Sequence, residues 1–141
     1  MRATLDNRAL REEATMMWLR TLIISSDPQS IQALADILSR CGVEQFVCST
    51  LSEAKVILAG HPIGLIFCEE GLLDGSYCDS LEEAEGAATP IPVVVTSRGG
   101  DWDSYLKAMR LGADDYIVFP YRRGDVERAV GRALCKCLVP A

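Results

Sequence analysis

The sequence lacks the residue patterns that hold a zinc ion, cross a membrane or direct secretion. Its six cysteines form no C-x-x-C pair, and its single histidine, His61, has no partner at the spacing of zinc ligands. No apolar run reaches the length of a membrane span, and the N-terminal region has no apolar core typical of a signal peptide. We therefore expect a cytoplasmic protein whose reduced cysteines pack as small apolar side chains.

An excess of positive charge is also absent. The net charge of -6 argues against non-specific binding of nucleic acid, and no segment indicates membrane binding. With 141 residues, of which 49% are hydrophobic and 24% charged, the chain predicts one globular domain with a sizeable core. This domain is predicted over residues 19–141. It follows an extension over residues 1–18, in which the spacing of Leu10, Ala14 and Met17 favours a helix.

Short apolar segments alternate with amphipathic segments along the rest of the chain. Five strands are predicted, at residues 22–24, 46–48, 62–68, 91–95 and 116–119. Helix signals follow them: Asp27 and Pro28 mark a helix start, Gly42 marks its end, and Thr50 to Glu53 match a capping box. This alternation, with connections of a few residues, predicts an α/β fold with a parallel sheet covered by helices on both faces.

The third predicted strand ends in a polar segment that points to a site. Residues 62–68 are apolar without alternation, which is typical of a strand buried on both faces. Glu69 follows directly, and the turn pair Asp74-Gly75 closes the segment. Ligands and chemistry collect at the carboxyl ends of the strands in open α/β sheets, so Glu69 is the first candidate site residue.

Four segments, over residues 22–28, 64–75, 93–97 and 112–121, together carry a family resemblance. They resemble the receiver domain of bacterial two-component response regulators, most specifically in the Gly-Ala-Asp-Asp-Tyr sequence starting at Gly112 and in the later Pro120. The resemblance spans about residues 19–138 and implies a flavodoxin-like (βα)5 doubly wound sheet with strand order 2-1-3-4-5. It also implies a signalling module rather than an enzyme, with protein partners such as a histidine kinase or a downstream output protein.

The resemblance implies a phosphoryl-transfer site, but this sequence departs from the family's pattern there. In the family, an acidic pair and an acceptor aspartate hold Mg²⁺, and a lysine after strand five contacts the phosphoryl group. Here Ser25 and Ser26 stand at the acidic pair, Glu69 at the acceptor and Phe119 at the lysine. Serine hydroxyls are poor Mg²⁺ ligands, so we expect weak or absent Mg²⁺ binding and no phosphorylation at the usual position.

The family's two switch residues are retained. Thr96 matches the hydroxyl after strand four that contacts the phosphoryl group, and Tyr116 matches the aromatic residue on strand five that moves inward in response. We expect the Thr96 hydroxyl to donate to a permanent Glu69 carboxylate, which would favour an inward Tyr116. The segment Arg98-Gly99-Gly100, which follows strand four and precedes the next helix, is interpreted as a flexible loop.

The leading hypothesis is a degenerate receiver, or pseudo-receiver, that signals through protein contacts. In one version Glu69 is vestigial; in the other it mimics the phosphorylated state. The alternatives are a receiver phosphorylated at a non-standard residue and a flavodoxin-like cofactor-binding protein with Ser25, Ser26 and Ser30 in its first loop. The resemblance further implies a homodimer through helix four, strand five and helix five. Charges are available there at Lys107, Asp115, Arg122, Arg123 and Arg128.

Overall fold

Five parallel strands form one sheet in the computed structural model, which describes residues 19–87 and 89–138. The strands are β1 (Arg20–Ile24), β2 (Glu44–Cys48), β3 (Leu65–Glu69), β4 (Val93–Ser97) and β5 (Asp115–Val118). Their order is β2-β1-β3-β4-β5, as predicted. The predicted helical extension over residues 1–18 lies outside the described residues.

Within the described residues, five helices cover the two faces of this sheet. They are α1 (Pro28–Cys41), α2 (Leu51–Gly60), α3 (Tyr77–Glu85), α4 (Trp102–Arg110) and α5 (Arg123–Leu138). Helices α1 and α5 contribute to the buried cluster on one face, and α2, α3 and α4 contribute to the cluster on the other. The structure adds a hairpin between β3 and α3, made of Gly71–Leu72 and Gly75–Ser76, which the sequence did not predict.

Strand β3 lies in the middle of the sheet and is buried from both sides. Ile66 and Cys68 belong to the cluster under α2, α3 and α4, whereas Leu65 and Phe67 belong to the cluster under α1 and α5. This burial on alternating sides confirms the prediction from the continuous apolar run. It also places Glu69, at the end of β3, on the edge where the carboxyl ends of the parallel strands meet.

Capping residues set the helix boundaries near the predicted positions. The Asp27 side chain accepts a hydrogen bond from the Gln29 N–H at 3.1 Å, and Pro28 is the first residue of α1. Gly42 ends α1 at φ 71°, a left-handed conformation that glycine adopts without strain. The first turn of α1 therefore starts beside the carboxyl end of β1.

The described cysteines are free thiols. Cys48 and Cys68 are buried, as predicted for small apolar side chains. Burial raises the pKa of Cys48 to about 11 and the pKa of Cys68 to about 12, so both remain protonated at neutral pH. Within residues 19–87 and 89–138, every helix is too short or too polar to span a bilayer.

Candidate functional site

Ser25 and Glu69 meet at the carboxyl edge of the sheet, because β1 and β3 are neighbours. The Ser25 hydroxyl donates to Glu69 Oε1 at 2.6 Å and accepts from the Asp27 N–H at 3.1 Å. Ser25 is buried, whereas Ser26 is exposed. The sequence thus predicted the Ser25–Glu69 neighbourhood correctly, while Ser26 points its side chain into solvent.

Thr96 lies beside Glu69 but does not bond to its carboxylate. The two residues are register partners between β3 and β4, and the Glu70 N–H donates to the Thr96 carbonyl at 2.8 Å. Among the side-chain hydrogen bonds of the described residues, Glu69 accepts from Ser25 and not from Thr96. The expected Thr96–Glu69 hydrogen bond is therefore wrong for this structure, and the Ser25 hydroxyl is the side-chain donor to Glu69 instead.

Glu70 is the carboxylate that reaches the switch aromatic residue. It accepts from the Ser97 hydroxyl at 3.0 Å through Oε1 and from the Tyr116 hydroxyl at 3.0 Å through Oε2. Ser97 and Tyr116 are both buried, and the Ser97 hydroxyl also accepts from the Gly99 N–H at 3.3 Å. Sequence reasoning missed Glu70 and Ser97, although each directly follows a residue that it did select.

Tyr116 is held inward by packing as well as by Glu70. Its side chain lies against the backbone of Gly100, where an added Cβ would overlap the tyrosine ring and hydroxyl. Burial raises the pKa of the Tyr116 hydroxyl, and the hydrogen bond to Glu70 raises it further, so the hydroxyl stays protonated and able to donate. The prediction of a buried Tyr116 is confirmed, with 7% of the residue exposed.

An aromatic series leads from Tyr116 to the protein surface. The Tyr105 ring meets Tyr116 edge-to-face at a centroid distance of 6.2 Å, and it stacks on Trp102 at 5.3 Å. Trp102 is 69% exposed at the start of α4. The site at the sheet edge is therefore connected by side-chain contacts to an exposed aromatic surface.

Arg98 closes one side of the same site. Its Nε atom bonds to the Asp27 carboxylate, another guanidinium nitrogen donates to Gln29 Oε1 at 2.7 Å, and the guanidinium carbon lies 4.1 Å from the Phe119 ring centroid. The hydrogen bond from Arg98 is the main cause that holds the pKa of Asp27 below its ordinary value. The Arg98 side chain is thus engaged on three sides, which its interpretation as part of a flexible loop did not anticipate.

These residues border an open cavity of about 430 Å³. Its charged lining consists of Asp27, Glu69, Glu70 and Arg98. Each carboxylate has a donor in the structure, and the described residues include no group of three or more His, Cys, Asp or Glu side chains arranged to hold a metal ion. This arrangement does not fit the Mg²⁺ site that the resemblance implies, because Ser25 stands where a carboxylate ligand is needed and the nearby Asp27 carboxylate is paired with Arg98.

Comparison with known sequences finds response regulators. The chain is 34% identical over 100 residues to the transcriptional regulatory protein KdpE of Mycobacterium tuberculosis, in a match that covers 71% of this chain and 44% of KdpE. It is 26% identical over 115 residues to the response regulator protein PilR of Pseudomonas aeruginosa, covering 82% of this chain and 26% of PilR. The chain thus spans less than half the length of these relatives. No family model matches the sequence.

Comparison with solved structures finds the same domain. A two-component response regulator from Clostridium difficile superposes with a TM-score of 0.75 at 25% identity, covering 86% of this chain and 99% of that one. The receiver domain of the putative LuxO repressor of Vibrio parahaemolyticus gives a TM-score of 0.75 at 18% identity, covering 85% and 92%, and supports the fold alone. From the fold, the order of its strands and these relatives together, the chain belongs to the receiver domains of the two-component response-regulator family.

Proposed function

We propose that this receiver domain signals through protein contacts without phosphorylation at the acceptor position, and that Glu70 holds Tyr116 inward in place of a phosphoryl group. The observation that carries the proposal is the pair of hydrogen bonds that Glu70 accepts from Ser97 and Tyr116, each at 3.0 Å. One carboxylate thereby joins the end of β4 to the aromatic residue of β5. In the family, that connection depends on the phosphoryl group.

The strength of these hydrogen bonds is sufficient for such a role. A hydrogen bond to a charged group contributes roughly 1.5–3 kcal/mol. A difference of that size shifts an equilibrium between inward and outward tyrosine by about tenfold or more. Because Glu70 is a permanent part of the chain, the inward orientation needs no donor of phosphate. The mimicry that the sequence suggested for Glu69 is therefore assigned, in this proposal, to Glu70.

Residues around the acceptor position support the absence of phosphoryl chemistry. Phosphoryl transfer relies on positioning together with cations that neutralise developing charge. Ser25 and Phe119 offer neither a carboxylate for Mg²⁺ nor an ammonium group for the phosphoryl oxygens, and the Glu69 carboxylate already accepts from Ser25. Glu69 is thus better suited to a fixed structural hydrogen bond than to accepting a phosphoryl group.

The output surface in this proposal is the face around α4. Trp102 is its most exposed aromatic residue among those connected to Tyr116. Aromatic side chains are enriched among residues that dominate protein–protein binding. We propose a protein partner for this face, either a sensor kinase or the output part of a longer regulator. Its relatives' names, a transcriptional regulatory protein and a response regulator protein, are consistent with such a partner.

Exposure to a small-molecule phosphodonor tests the proposal. After incubation with acetyl phosphate and Mg²⁺, intact-mass measurement should show no added phosphoryl group on the wild-type chain. A matched gain-of-function variant combines four substitutions: Ser25→Asp, Ser26→Asp, Glu69→Asp and Phe119→Lys. This variant should gain one phosphoryl group. Each single substitution should gain none, because positioning and charge act jointly in phosphoryl transfer.

A phosphoryl group on the wild-type chain would contradict the proposal. Peptide mapping would then locate it and decide whether a non-standard residue is the acceptor. The flavodoxin-like alternative makes a different prediction, namely flavin absorbance that co-purifies with the chain.

A further inference from the structure

Arg98 is held by groups from two other parts of the chain. Asp27 and Gln29 belong to the start of α1, and Phe119 follows β5, whereas Arg98 lies in the loop after β4. The carboxylate and the amide oxygen accept from different nitrogens of the guanidinium group, and the guanidinium carbon lies over the Phe119 ring, 4.1 Å from its centroid. Two acceptors on different nitrogens and one aromatic face suit the planar fork of guanidinium, which a lysine ammonium lacks.

Two of the three groups, Asp27 and Phe119, are fixed independently of Arg98. Asp27 is positioned by its capping bond to the Gln29 N–H and by the Asp27 N–H bond to Ser25. Phe119 donates its N–H to the Ser97 carbonyl at 2.8 Å, and its ring meets Tyr121 edge-to-face at 5.5 Å. A site whose walls are held by other contacts loses little ordering entropy when a cation enters it.

We propose that Asp27, Gln29 and Phe119 form a guanidinium-binding site, and that Arg98 fills it as the built-in cation of the Glu69–Glu70 cavity. Phe119 then has a binding role, because its ring makes the cation–π contact with Arg98 from the neighbouring loop. Arg98 offsets part of the charge of Asp27, Glu69 and Glu70, which border the same cavity. Arg98 also connects its loop to the start of α1. The same loop carries Gly100, which contacts Tyr116.

This inference does not depend on the proposed function, because it concerns a cation within the chain and not the phosphorylation state. Chemical rescue tests it. In the full chain, Arg98→Ala should lower the melting temperature by about 4 °C, since an ion pair and a cation–π contact are lost. Millimolar methylguanidinium chloride should restore most of that loss, whereas equal concentrations of sodium or tetramethylammonium chloride should not.

Arg122→Ala is the matched control. Arg122 is exposed, and no ion pair joins it to another described residue. It should change the melting temperature by less than about 2 °C and should respond equally to all three salts. The site would be disproved if Arg98→Ala behaved like Arg122→Ala, or if methylguanidinium gave no rescue.

Phe119→Leu provides a second, independent test that keeps the charges unchanged. It should abolish the methylguanidinium rescue in the Arg98→Ala background, because the aromatic platform is gone. The effects of Arg98→Ala and Phe119→Leu should also be smaller together than the sum of the two single effects. Additive effects would overturn the assignment of Phe119 to this site.

Discussion

At the scale of single residues, Tyr116 fits closely against Gly100 in its inward position. The backbone of Gly100 leaves just enough room for the inward tyrosine, whereas its neighbour Gly99 has open space where a side chain would extend. Neither glycine has a positive φ, so alanine is compatible with the backbone at both positions. The two positions therefore form a matched pair, in which Gly100 contacts Tyr116 and Gly99 does not.

Gly100→Ala should force Tyr116 away from its inward position. The added methyl group overlaps the ring and hydroxyl, and overpacking of this kind costs about 1–3 kcal/mol of unfolding free energy. Denaturant unfolding measures the loss, and Trp102 fluorescence in a Trp18→Phe background reports the altered Tyr105–Tyr116 contact. Gly99→Ala should change the unfolding free energy by no more than about 0.5 kcal/mol. Equal effects of the two substitutions would argue against a tight Gly100–Tyr116 contact.

At the scale of secondary-structure elements, the hairpin after β3 is attached to the start of α2. Asp74 lies between its two short strands, and its carboxylate accepts from the N–H groups of Leu51 at 2.9 Å and Ser52 at 3.1 Å. The hydrogen bond from the Leu51 N–H is the main cause that holds the pKa of Asp74 below its ordinary value of 3.8. The hairpin thus supplies acceptors for N–H groups that α2 cannot satisfy itself.

Asp74→Asn should therefore destabilise the domain in a pH-dependent way. Because the folded pKa lies below the unfolded one, the carboxylate stabilises the fold above about pH 4, and this contribution is lost as the pH falls through the folded pKa. At pH 7 the variant should melt about 4 °C below the wild type, and the gap should close as the pH falls below the folded pKa of Asp74.

Asp36→Asn removes the same charge from an exposed position within α1 and controls for net charge. Thermal melts at several pH values compare the three proteins. A gap between Asp74→Asn and the wild type that stayed constant with pH would contradict the role of the charged carboxylate.

The elements were more predictable than the contacts between them. Caps such as Asp27 and the continuous apolar run of β3 defined strands and helices, because these signals are local. The hairpin was missed because strands of two residues leave no periodicity to detect. The predicted ends of the first and third strands correctly placed Ser25 close to Glu69. The partners of Glu70 and Arg98 could not be predicted, because they depend on the path of the backbone after the strands end.

At the scale of the whole molecule, the predicted dimer face has fewer available charges than the sequence suggested. Arg123 pairs with Glu127 at 3.0 Å and Arg128 with Asp125 at 2.6 Å, both within α5. Exposed pairs of this kind contribute little to stability, but they already engage two of the charges assigned to an interface. A homodimer through α4, β5 and α5 stays a prediction, which light scattering at high protein concentration tests.

A route of contacts crosses the molecule from the sheet edge to α4. It runs from Glu70 through Tyr116 and Tyr105 to the exposed Trp102. A change at the carboxylate can therefore alter the surface that a partner would contact, provided that Tyr116 has two orientations. The central claim is that Glu70 sets this orientation within the chain, with no contribution from a phosphoryl group.

The most direct test is NMR of the tyrosine rings in labelled protein, with Tyr116 assigned by Tyr116→Phe. Glu70→Ala should shift the Tyr116 ring signals, while Glu69→Ala, the matched neighbour that bonds to Ser25 instead, should leave them nearly unchanged. Acetyl phosphate with Mg²⁺ should not move them in the wild-type chain. Unmoved Tyr116 signals in Glu70→Ala, or a shift caused by the phosphodonor in the wild type, would contradict this role of Glu70.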